Sequence, residues 1–316
     1  MDNHSTALSI VIPIYNEEEN INRLYKEIRS AVDPLNILYE IIFIDDGSTD
    51  DSFENLKGIK KAEDRETETM ARIRIIKFSQ NYGQTLAMQS GFDHARGEVI
   101  VSMDGDLQND PADIPAFIEV LQKGYDVVCG WRKNRKDKTI SRIIPSKVAN
   151  WMIGKVTGVP IHDNGCSLKA FRSSVVKSIS LYSDMHRFIP AITTIVGARI
   201  TEVVVNHRHR RYGESKYGIN RIWKVLFDIV TIKMLIHFYD RPIVWFSMFG
   251  IVFLLSGIGF GVISIVLFLQ GSQSIVFPAS CILSLFLFIS LLFWGILSEY
   301  FVKIEKYSDY FKSSLS

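Results

Sequence analysis

The feature that most constrains this chain is an uninterrupted uncharged run near its C-terminus. Residues 242–298, 57 in a row, contain no Asp, Glu, Lys or Arg. The core of a soluble globular protein does not contain such a run, because its chain returns to the charged surface more often. Residues 243–269 and 275–297 are each long enough to cross about 30 Å of hydrocarbon at about 1.5 Å per residue. The sequence therefore excludes a purely soluble protein and predicts two membrane-spanning helices within residues 241–299, joined by a turn at residues 270–274.

Two helices and a short turn return the chain to the side of the membrane from which it started. Lys and Arg are enriched in cytoplasmic loops, and a set of basic residues precedes the first helix. This set contains Arg208, Arg210, Arg211, Lys216, Arg221, Lys224, Lys233 and Arg241. The N-terminus does not have the pattern of a signal peptide. We therefore expect a multi-pass protein of the inner (cytoplasmic) membrane, with a cytoplasmic domain at residues 1–218 and a cytoplasmic tail at residues 300–316.

Residues 219–240, between the domain and the first helix, mix apolar and charged side chains. Ile222, Leu226 and Ile229 alternate with charged positions such as Arg221 and Lys224. This pattern predicts an amphipathic helix that lies on the membrane surface. A helix packed on the soluble domain is the alternative, and both can hold on different faces of one helix.

The overall composition excludes two further classes of protein. The net charge is +2, so the chain gives no general argument for binding nucleic acid. Cys129, Cys166 and Cys281 are far apart and do not have the spacing of metal ligands. The sequence therefore supports neither a disulfide framework nor a zinc site, and we expect reduced structural thiols.

The first half of the chain alternates short apolar runs with helical patterns. Strands are predicted at residues 7–14, 39–44, 72–78, 98–103 and 126–131, and helices at residues 17–32, 51–62, 85–95 and 112–123. This alternation predicts an α/β fold with a mostly parallel sheet and helices on both faces. Ligands bind beyond the carboxyl ends of the strands in such sheets, so the polar loops that follow the strands are the expected place for chemistry.

Two carboxylates follow the fourth predicted strand. Asp104 and Asp106 are two residues apart, so in extended chain both side chains point to one side, with Gly105 between them. Mg²⁺ and Mn²⁺ take oxygen ligands, and often one or two carboxylates together with substrate phosphates. The pair is therefore a candidate metal site, and an ordinary surface turn is the alternative.

The loops after the first two predicted strands are also polar. The segment Asp45-Asp46-Gly47-Ser48-Thr49-Asp50 follows the second strand, and Ser48 or Asp50 is suited to cap the next helix. Capping leaves Asp45 and Asp46 unexplained, and a carboxylate there is suited to accept a hydrogen bond from the imide of a uracil. Tyr15, after the first strand, is suited to stack on a base; a partly buried aromatic at a strand end is the alternative.

Taken in chain order, these segments resemble the inverting GT-A glycosyltransferases. The segments are Pro13-x-Tyr15-Asn16-Glu17, then Asp45-Asp46-Gly47-Ser48, then Asp104-x-Asp106-Leu107-Gln108. Further similar segments are Gly130-Trp131-Arg132, Asp163-Asn164-Gly165-Cys166-Ser167-Leu168-Lys169 and Arg210-Arg211-Tyr212-Gly213-Glu214-Ser215-Lys216. The resemblance covers about residues 7–220 and is greatest to the polyprenyl-phosphate branch, which includes dolichyl-phosphate mannose synthases. The two-helix tail resembles that of the bacterial undecaprenyl-phosphate glucosyltransferases.

The resemblance implies a role for each matching residue. Asp104 and Asp106 hold a divalent metal, Mg²⁺ or Mn²⁺, on the diphosphate, and Gln108 lies beside the metal. The implied nucleotide-binding residues are Pro13, Tyr15, Glu17, Asp45, Asp46, Gln108 and Arg132. Arg132, Arg210 and Lys216 meet phosphate groups, for which guanidinium and ammonium groups are suited.

The resulting hypothesis is a metal-dependent inverting transferase that moves glucose from UDP-glucose to undecaprenyl phosphate at the cytoplasmic face. A phosphate monoester has its second pKa at about 6, so this acceptor is already ionised and needs no general base. If a carboxylate assists, Asp163 is the best candidate, and a role as a turn residue is the alternative. The implied partners are a UDP-sugar, the lipid phosphate and the bilayer, without nucleic acid; a homo-oligomer is left open. Transfer of mannose from GDP-mannose and a non-catalytic sensor of sugar nucleotides are the rival hypotheses.

Overall fold

The computed structural model describes residues 6–66, 69–133, 154–155, 158–159, 161–181, 185–209 and 241–314. The chain divides into two compact units, Met1–Ile232 and Lys233–Ser316. The first unit carries a sheet with its helices, and the second carries the two apolar helices. Arg210, Lys216 and the predicted amphipathic helix at residues 219–240 lie outside the described residues.

One sheet of seven strands organises the described part of the first unit. The strands are β1 (Leu8–Ile14), β2 (Tyr39–Asp45), β3 (Ala71–Lys77), β4 (Val99–Ser102), β5 (Val127–Trp131), β6 (Lys169–Arg172) and β7 (Ile200–Val204). Their order across the sheet is β3-β2-β1-β4-β6-β5-β7. All neighbouring pairs are parallel except those of β6, which runs antiparallel to both β4 and β5. The sheet is thus mostly parallel, as predicted, with one reversed strand.

The helices of this unit connect the parallel strands. They are α1 (Glu18–Val32), α2 (Ser52–Glu63), α3 (Gln84–His94) and α4 (Ile114–Gln122). Shorter helices cover Ser173–Val176 and Ile189–Thr193, and single 3-10 turns cover Asp33–Leu35, Pro111–Asp113 and Met185–Arg187. The five predicted strands and four predicted helices are confirmed to within two residues at each end. β6 and β7 were not predicted, because β6 is short with a basic residue at each end and β7 contains Glu202.

The core of the first unit lies on both faces of the sheet. Side chains such as Ile10 of β1 and Phe43 of β2 are fully buried, and they share one cluster with the apolar face of α1. That face contains Ile21, Leu24 and Ile28, at the three- and four-residue spacing of an amphipathic helix. Burial of each such side chain stabilises the fold by about 1.5–3 kcal/mol. This packing fixes where β1 ends and α1 begins, and so holds the loop between them.

The second unit consists of two long apolar helices, Pro242–Leu269 and Val276–Ser314. Pro242–Leu269 and Val276–Ile304 are long and apolar enough to cross a membrane, with mean hydropathies of 2.6 and 2.4. Glycines allow the helices to approach: a Cβ on Gly250 would lie 3.1 Å from the Phe288 ring, and one on Gly295 would lie 3.0 Å from Phe246 Cβ. The second helix continues through residues 300–314, the region predicted as a tail, and there Glu299 pairs with Lys303 at 3.4 Å, one helical turn apart.

Candidate active site

The predicted functional loops meet at one edge of the sheet. β1 lies between β2 and β4 and is parallel to both, so the carboxyl ends of all three strands point the same way. In register, Ile14 at the end of β1 pairs with Asp45 at the end of β2. Asp104 and Asp106 follow β4 at the same edge. The structure thus brings together the segments that the sequence placed in three separate loops.

The loops after β1 and β2 are tied to each other by hydrogen bonds. Asn16, which has a left-handed backbone (φ 54°), donates its N–H to Ser48 Oγ at 3.1 Å and accepts from the Thr49 N–H at 2.8 Å. The Glu17 N–H donates to Ser52 Oγ at 2.8 Å. Ser48 therefore braces the neighbouring loop rather than capping α2. Asp50 lies one residue before Asp51, the N-cap of α2, and its Oδ1 accepts the Ser52 N–H at 3.0 Å, so it contacts the start of α2 without holding the N-cap position.

The two adjacent acids at the end of β2 have different surroundings. Asp45 is fully buried, and its Oδ1 accepts the Ser48 N–H at 3.0 Å. Asp45 Oδ2 accepts no hydrogen bond from any residue that the structure describes. Asp46 is 3% exposed, and its two oxygens accept the backbone N–H groups of Tyr82 at 2.7 Å and Gly83 at 2.9 Å. Asp46 thus holds the loop that leads from β3 into α3.

Gly47 is required for this arrangement. Its backbone is left-handed (φ 70°), and a Cβ there would lie 2.4 Å from the carbonyl carbon of Gln80. Both the conformation and the close approach favour glycine at this position. The loops after β2 and β3 can therefore touch, and this contact places Tyr82 and Gly83 beside Asp46.

The remaining predicted nucleotide-binding residues of this region lie at the end of β1. Pro13, Tyr15 and Glu17 are all half-buried. Pro13 pairs with Ile44 in the sheet register. Glu17 Oε2 accepts a hydrogen bond from Asn20 Nδ2 at 2.5 Å. These residues and Asp46 belong to the same edge of the sheet, but their binding roles stay predictions.

The predicted metal carboxylates lie at the end of β4. Asp104 is half-buried, and its Oδ1 accepts a hydrogen bond from Gln84 Nε2 at 2.6 Å. Asp106 is buried, and its Oδ1 accepts the Gln108 N–H at 3.1 Å. Leu107, between Asp106 and Gln108, has a left-handed backbone (φ 61°), a conformation that is uncommon for a residue with a side chain and that often marks a functional site.

These two carboxylates fit a divalent metal shared with a substrate. No group of three or more His, Cys, Asp or Glu side chains suited to a metal occurs in the described parts of the chain. Mg²⁺ and Mn²⁺ do not require one, because substrate phosphates and water complete their coordination. Asp104 Oδ2 receives no hydrogen bond from the described residues and so has its lone pairs available. The donor set would suit a metal that is shared with a diphosphate, rather than a closed protein cage.

The first turn of α3 joins several parts of the site and was not singled out in the sequence. Gln84 bonds Asp104, as described, and Thr85 Oγ1 lies 2.7 Å from His186 Nδ1. A small cavity of about 40 Å³ lies beside this turn and is lined in part by Asp104, Lys169 and Arg187. The signal available in the sequence was the position of Gln84, which follows a glycine beyond the carboxyl end of β3.

Arg132 and Asp163 form a bidentate ion pair. Arg132 Nε donates to Asp163 Oδ2 at 2.7 Å, and its Nη2 donates to Oδ1 at 2.9 Å. Both side chains are largely buried, so the pair fixes the loop before β6 against the end of β5. The structure thus joins a residue predicted to bind phosphate to the residue predicted as an assisting carboxylate. A carboxylate held by a guanidinium fork is a poor general base, and this pairing favours the structural alternative for Asp163.

A second ion-pair cluster fastens the segment after β7. Arg208 donates its backbone N–H to the Gln108 carbonyl at 3.0 Å, and its guanidinium contacts Asp110 at 2.6 Å and also Glu27. Burial alone would raise the pKa of the Asp110 carboxyl, but hydrogen bonds from Asn206, the Ala112 N–H and Arg208 lower it on balance. The chain is therefore anchored to the Asp106–Gln108 turn two residues before Arg210.

Together these features define a glycosyltransferase of the GT-A type: a mostly parallel sheet, an acidic pair after β4 and an acid after β2 at the same edge. Residues 9–180 match the model of Glycosyl transferase family 2. The chain belongs to this family.

Curated relatives are named for polyprenyl phosphates and sugars. The dodecaprenyl-phosphate galacturonate synthase of Rhizobium johnstonii is 43% identical over 78% of this chain and 72% of its own length. The undecaprenyl-phosphate 4-deoxy-4-formamido-L-arabinose transferase of Edwardsiella ictaluri is 35% identical over 96% of this chain and 90% of its own. The predicted resemblance to polyprenyl-phosphate glycosyltransferases and the predicted transferase class are thereby confirmed.

Solved structures agree on the fold. Glucosyl-3-phosphoglycerate synthase from Mycobacterium tuberculosis in complex with phosphoglyceric acid has a TM-score of 0.55 and 16% identity, over 73% of this chain and 80% of that one. The same enzyme in complex with Mn²⁺ and UDP-glucose has a TM-score of 0.54 at 15% identity, over 73% and 79%. At this identity the likeness establishes the fold alone.

Proposed function

We propose that this protein transfers a hexose, with glucose as the leading candidate, from a UDP-sugar to undecaprenyl phosphate at the cytoplasmic face of the membrane, with inversion at the anomeric carbon. The observation that carries the proposal is the convergence of Asp46, Asp104 and Asp106 at one sheet edge. It is supported by relatives that are named as transferases of sugars to polyprenyl phosphates.

The nucleotide is assigned to the loops after β1 and β2. Asp46 is held rigidly by the Tyr82 and Gly83 amides, and Tyr15 lies at the end of the neighbouring strand. A fixed carboxylate beside an aromatic ring suits a uracil, whose imide donates a hydrogen bond and whose ring stacks. Pro13, Glu17 and Asp45 are assigned to the walls of the same site.

The diphosphate is assigned to Asp104 and Asp106 through Mg²⁺ or Mn²⁺. When bound, the metal supplies positive charge that stabilises the departing UDP. A solved structure of the same fold contains Mn²⁺ together with UDP-glucose, which makes a metal consistent with this site. Asp104 and Asp106 hold the metal from the strand end, and Gln84 orients the Asp104 carboxylate.

The acceptor is assigned to the segment that follows β7. One oxygen of the lipid phosphate forms the new bond to the anomeric carbon, while the bond from that carbon to the UDP oxygen breaks. Since the phosphate is already ionised, no proton has to be removed, and catalysis rests on positioning and charge. Arg210 and Lys216 are assigned to grip this phosphate, and the anchoring of Arg208 fixes the start of their segment.

The membrane assignment follows from the acceptor and the apolar helices. A polyprenyl tail stays in the bilayer, so the enzyme must work at its surface. Pro242–Leu269 and Val276–Ile304 are suited to span it twice. The basic residues ahead of them support a cytoplasmic catalytic domain and cytoplasmic termini.

Galacturonate is the second candidate for the sugar. It is favoured by one observation, namely that a relative 43% identical over most of this chain is a galacturonate synthase. Its donor would be UDP-galacturonic acid, which has the same nucleotide but carries a carboxylate on the sugar. The two candidates make different demands on the charge of the sugar pocket.

Radiolabel transfer into the organic-extractable fraction of membranes tests the proposal. A panel of UDP-glucose, UDP-galacturonic acid and GDP-mannose is offered to membranes that contain the protein. We expect label from a UDP-sugar in the lipid fraction, and none with Asp104→Asn. The matched control is Asp93→Asn, which removes an exposed acid of α3 and should leave transfer intact.

Three results would contradict parts of the proposal. Label from GDP-mannose alone would support the mannosyl rival. No lipid label from any donor, together with retained UDP binding, would support the sensor. Full transfer by Asp104→Asn, or by the parent protein in excess chelator, would contradict the assignment of a divalent metal.

A further inference from the structure

Lys169 is a buried lysine without an acidic partner. It is 2% exposed, and its ammonium donates to the carbonyl oxygens of Asn164, at 3.2 Å, and Cys166. No Asp or Glu lies within ion-pair distance of it in the part of the chain that the structure describes. An ammonium has three N–H donors, so two carbonyls leave one donor unused. Buried charges are normally paired, because an unpaired one costs several kcal/mol.

The position of Lys169 in the sheet brings it to the catalytic edge. It is the first residue of β6, and in register it pairs with Ser102 of β4 and with Cys129 of β5. Because β6 is antiparallel, its amino end lies where β4 and β5 have their carboxyl ends. Asp104 is two residues beyond Ser102, and Lys169 and Asp104 line the same cavity.

The charge of Lys169 is not balanced within the cavity once the proposed site is filled. Asp104 is the one carboxylate among the lining residues that the structure describes. A divalent metal on Asp104 would more than neutralise that carboxylate. The cavity volume of about 40 Å³ exceeds the roughly 10–15 Å³ that one water molecule needs. The cavity therefore has room for a small oxyanion group beside Lys169.

We propose that this cavity binds an oxyanion group of a substrate, and that the buried Lys169 ammonium donates a hydrogen bond to this group. The inference rests on the proposed transferase function and adds a binding residue to it. A carboxylate or a phosphate oxygen supplies both the missing acceptor for the third N–H and the missing negative charge. A charge-assisted hydrogen bond of this kind changes affinity by about tenfold to a hundredfold.

The oxyanion has two sources that share this chemistry. One is the phosphate of the lipid acceptor, which must reach the anomeric carbon beside Asp104. The other is the carboxylate of a uronic acid donor such as UDP-galacturonic acid. If the oxyanion is the acceptor phosphate, the cavity is needed with every sugar donor. If it is the carboxylate of the donor, the cavity selects charged sugars over neutral ones.

Lys169→Gln separates the charge of Lys169 from its role in shaping the loop. Glutamine keeps two N–H donors for the Asn164 and Cys166 carbonyls and removes the ammonium. Transfer from UDP-glucose and UDP-galacturonic acid to undecaprenyl phosphate is measured with the full chain in detergent micelles. The matched control is Lys177→Met, since Lys177 is exposed and donates to the Ala95 carbonyl at the opposite edge of the sheet.

We expect Lys169→Gln to keep the parent's affinity for UDP and to raise one KM by about tenfold to a hundredfold. A raised KM for undecaprenyl phosphate with both donors assigns the oxyanion to the acceptor. A raised KM for UDP-galacturonic acid alone assigns it to the donor. Unchanged KM values for all three substrates would overturn the proposal. If the parent and Lys177→Met transfer no sugar, the proposed function itself fails, which is a different result.

A measurement on the parent protein covers the case in which Lys169→Gln does not fold. Inorganic phosphate and free galacturonate are titrated by calorimetry into the complex of the protein with Mg²⁺ and UDP. Saturable binding of either ion at millimolar concentration, and weaker binding without UDP and Mg²⁺, supports the site. Absence of binding by both ions overturns it.

Discussion

Replacement of Gln84 by alanine tests whether the first turn of α3 positions the metal carboxylate. Gln84 Nε2 donates to Asp104 Oδ1 at 2.6 Å, which leaves Oδ2 for the metal. Loss of a hydrogen bond to a charged group costs about 1.5–3 kcal/mol, and the half-buried position of both residues puts the effect near the lower figure. About 1.4 kcal/mol corresponds to tenfold in an equilibrium constant. We therefore expect Mn²⁺ to bind about tenfold more weakly in the presence of UDP.

The assay is a titration of Mn²⁺ followed by electron paramagnetic resonance, which reports free Mn²⁺ directly. Gln84→Ala should keep the parent's affinity for UDP without metal, because the contacts of Asp46 with Tyr82 and Gly83 are made by backbone amides. The matched control is Gln122→Ala at the exposed end of α4. Equal Mn²⁺ affinity in Gln84→Ala and the parent would refute a positioning role for this side chain.

Four further outcomes follow from the same structure. Asp46→Ala should weaken UDP binding by about 1–3 kcal/mol in calorimetry, because it releases two backbone amides and removes the candidate base contact; equal affinity would move the base elsewhere. The pKa of Asp110 is lower in the folded state than in the unfolded state. Its contribution to the free energy of unfolding is therefore present above the unfolded pKa and is lost as pH falls through the folded pKa. In urea unfolding, Asp110→Asn should lose less stability on acidification than the parent protein does. Arg210→Ala should lower the rate of transfer about tenfold to a hundredfold, and Arg210→Lys should restore little of it. If Arg210→Ala changes only the affinity for UDP, Arg210 contacts the donor instead. A cysteine at Ser272 should react with an impermeant thiol reagent outside intact cells and one at Ser313 should not, and the reverse pattern would invert the topology.

The sequence predicts the positions of the parallel strands well because their signal is local. β1 and β2 are mostly apolar runs with polar turn residues directly after them, and buried parallel strands have this pattern. The sites after β1, β2 and β4 follow from the same signal, since parallel strands end at one edge. The sequence alone therefore predicts that Asp46, Asp104 and Asp106 lie at one sheet edge.

The contacts that complete the site depend on residues far apart in sequence. Arg132 meets Asp163 across 31 positions, and Gln84 meets Asp104 across 20. No periodicity marks such pairs, because each depends on how two loops pack. β6 was missed for a related reason: its four residues are held by two neighbouring strands rather than by their own propensity. The reversed strand therefore became visible only in the folded sheet.

Because β6 runs antiparallel to β5, the number of residues that connect the two strands can vary. The Gly130 N–H donates to the Leu168 carbonyl at 3.0 Å, so the connection leaves and re-enters the sheet at neighbouring points. Closing a loop between fixed ends costs entropy that grows only with the logarithm of its length, about 0.6 kcal/mol for each doubling. The entropy of closing the connection therefore sets only a weak limit on its length between Lys133 and the buried Val159. We therefore expect an affinity tag inserted directly after Lys133 to leave the sheet and the carboxylates at its edge intact.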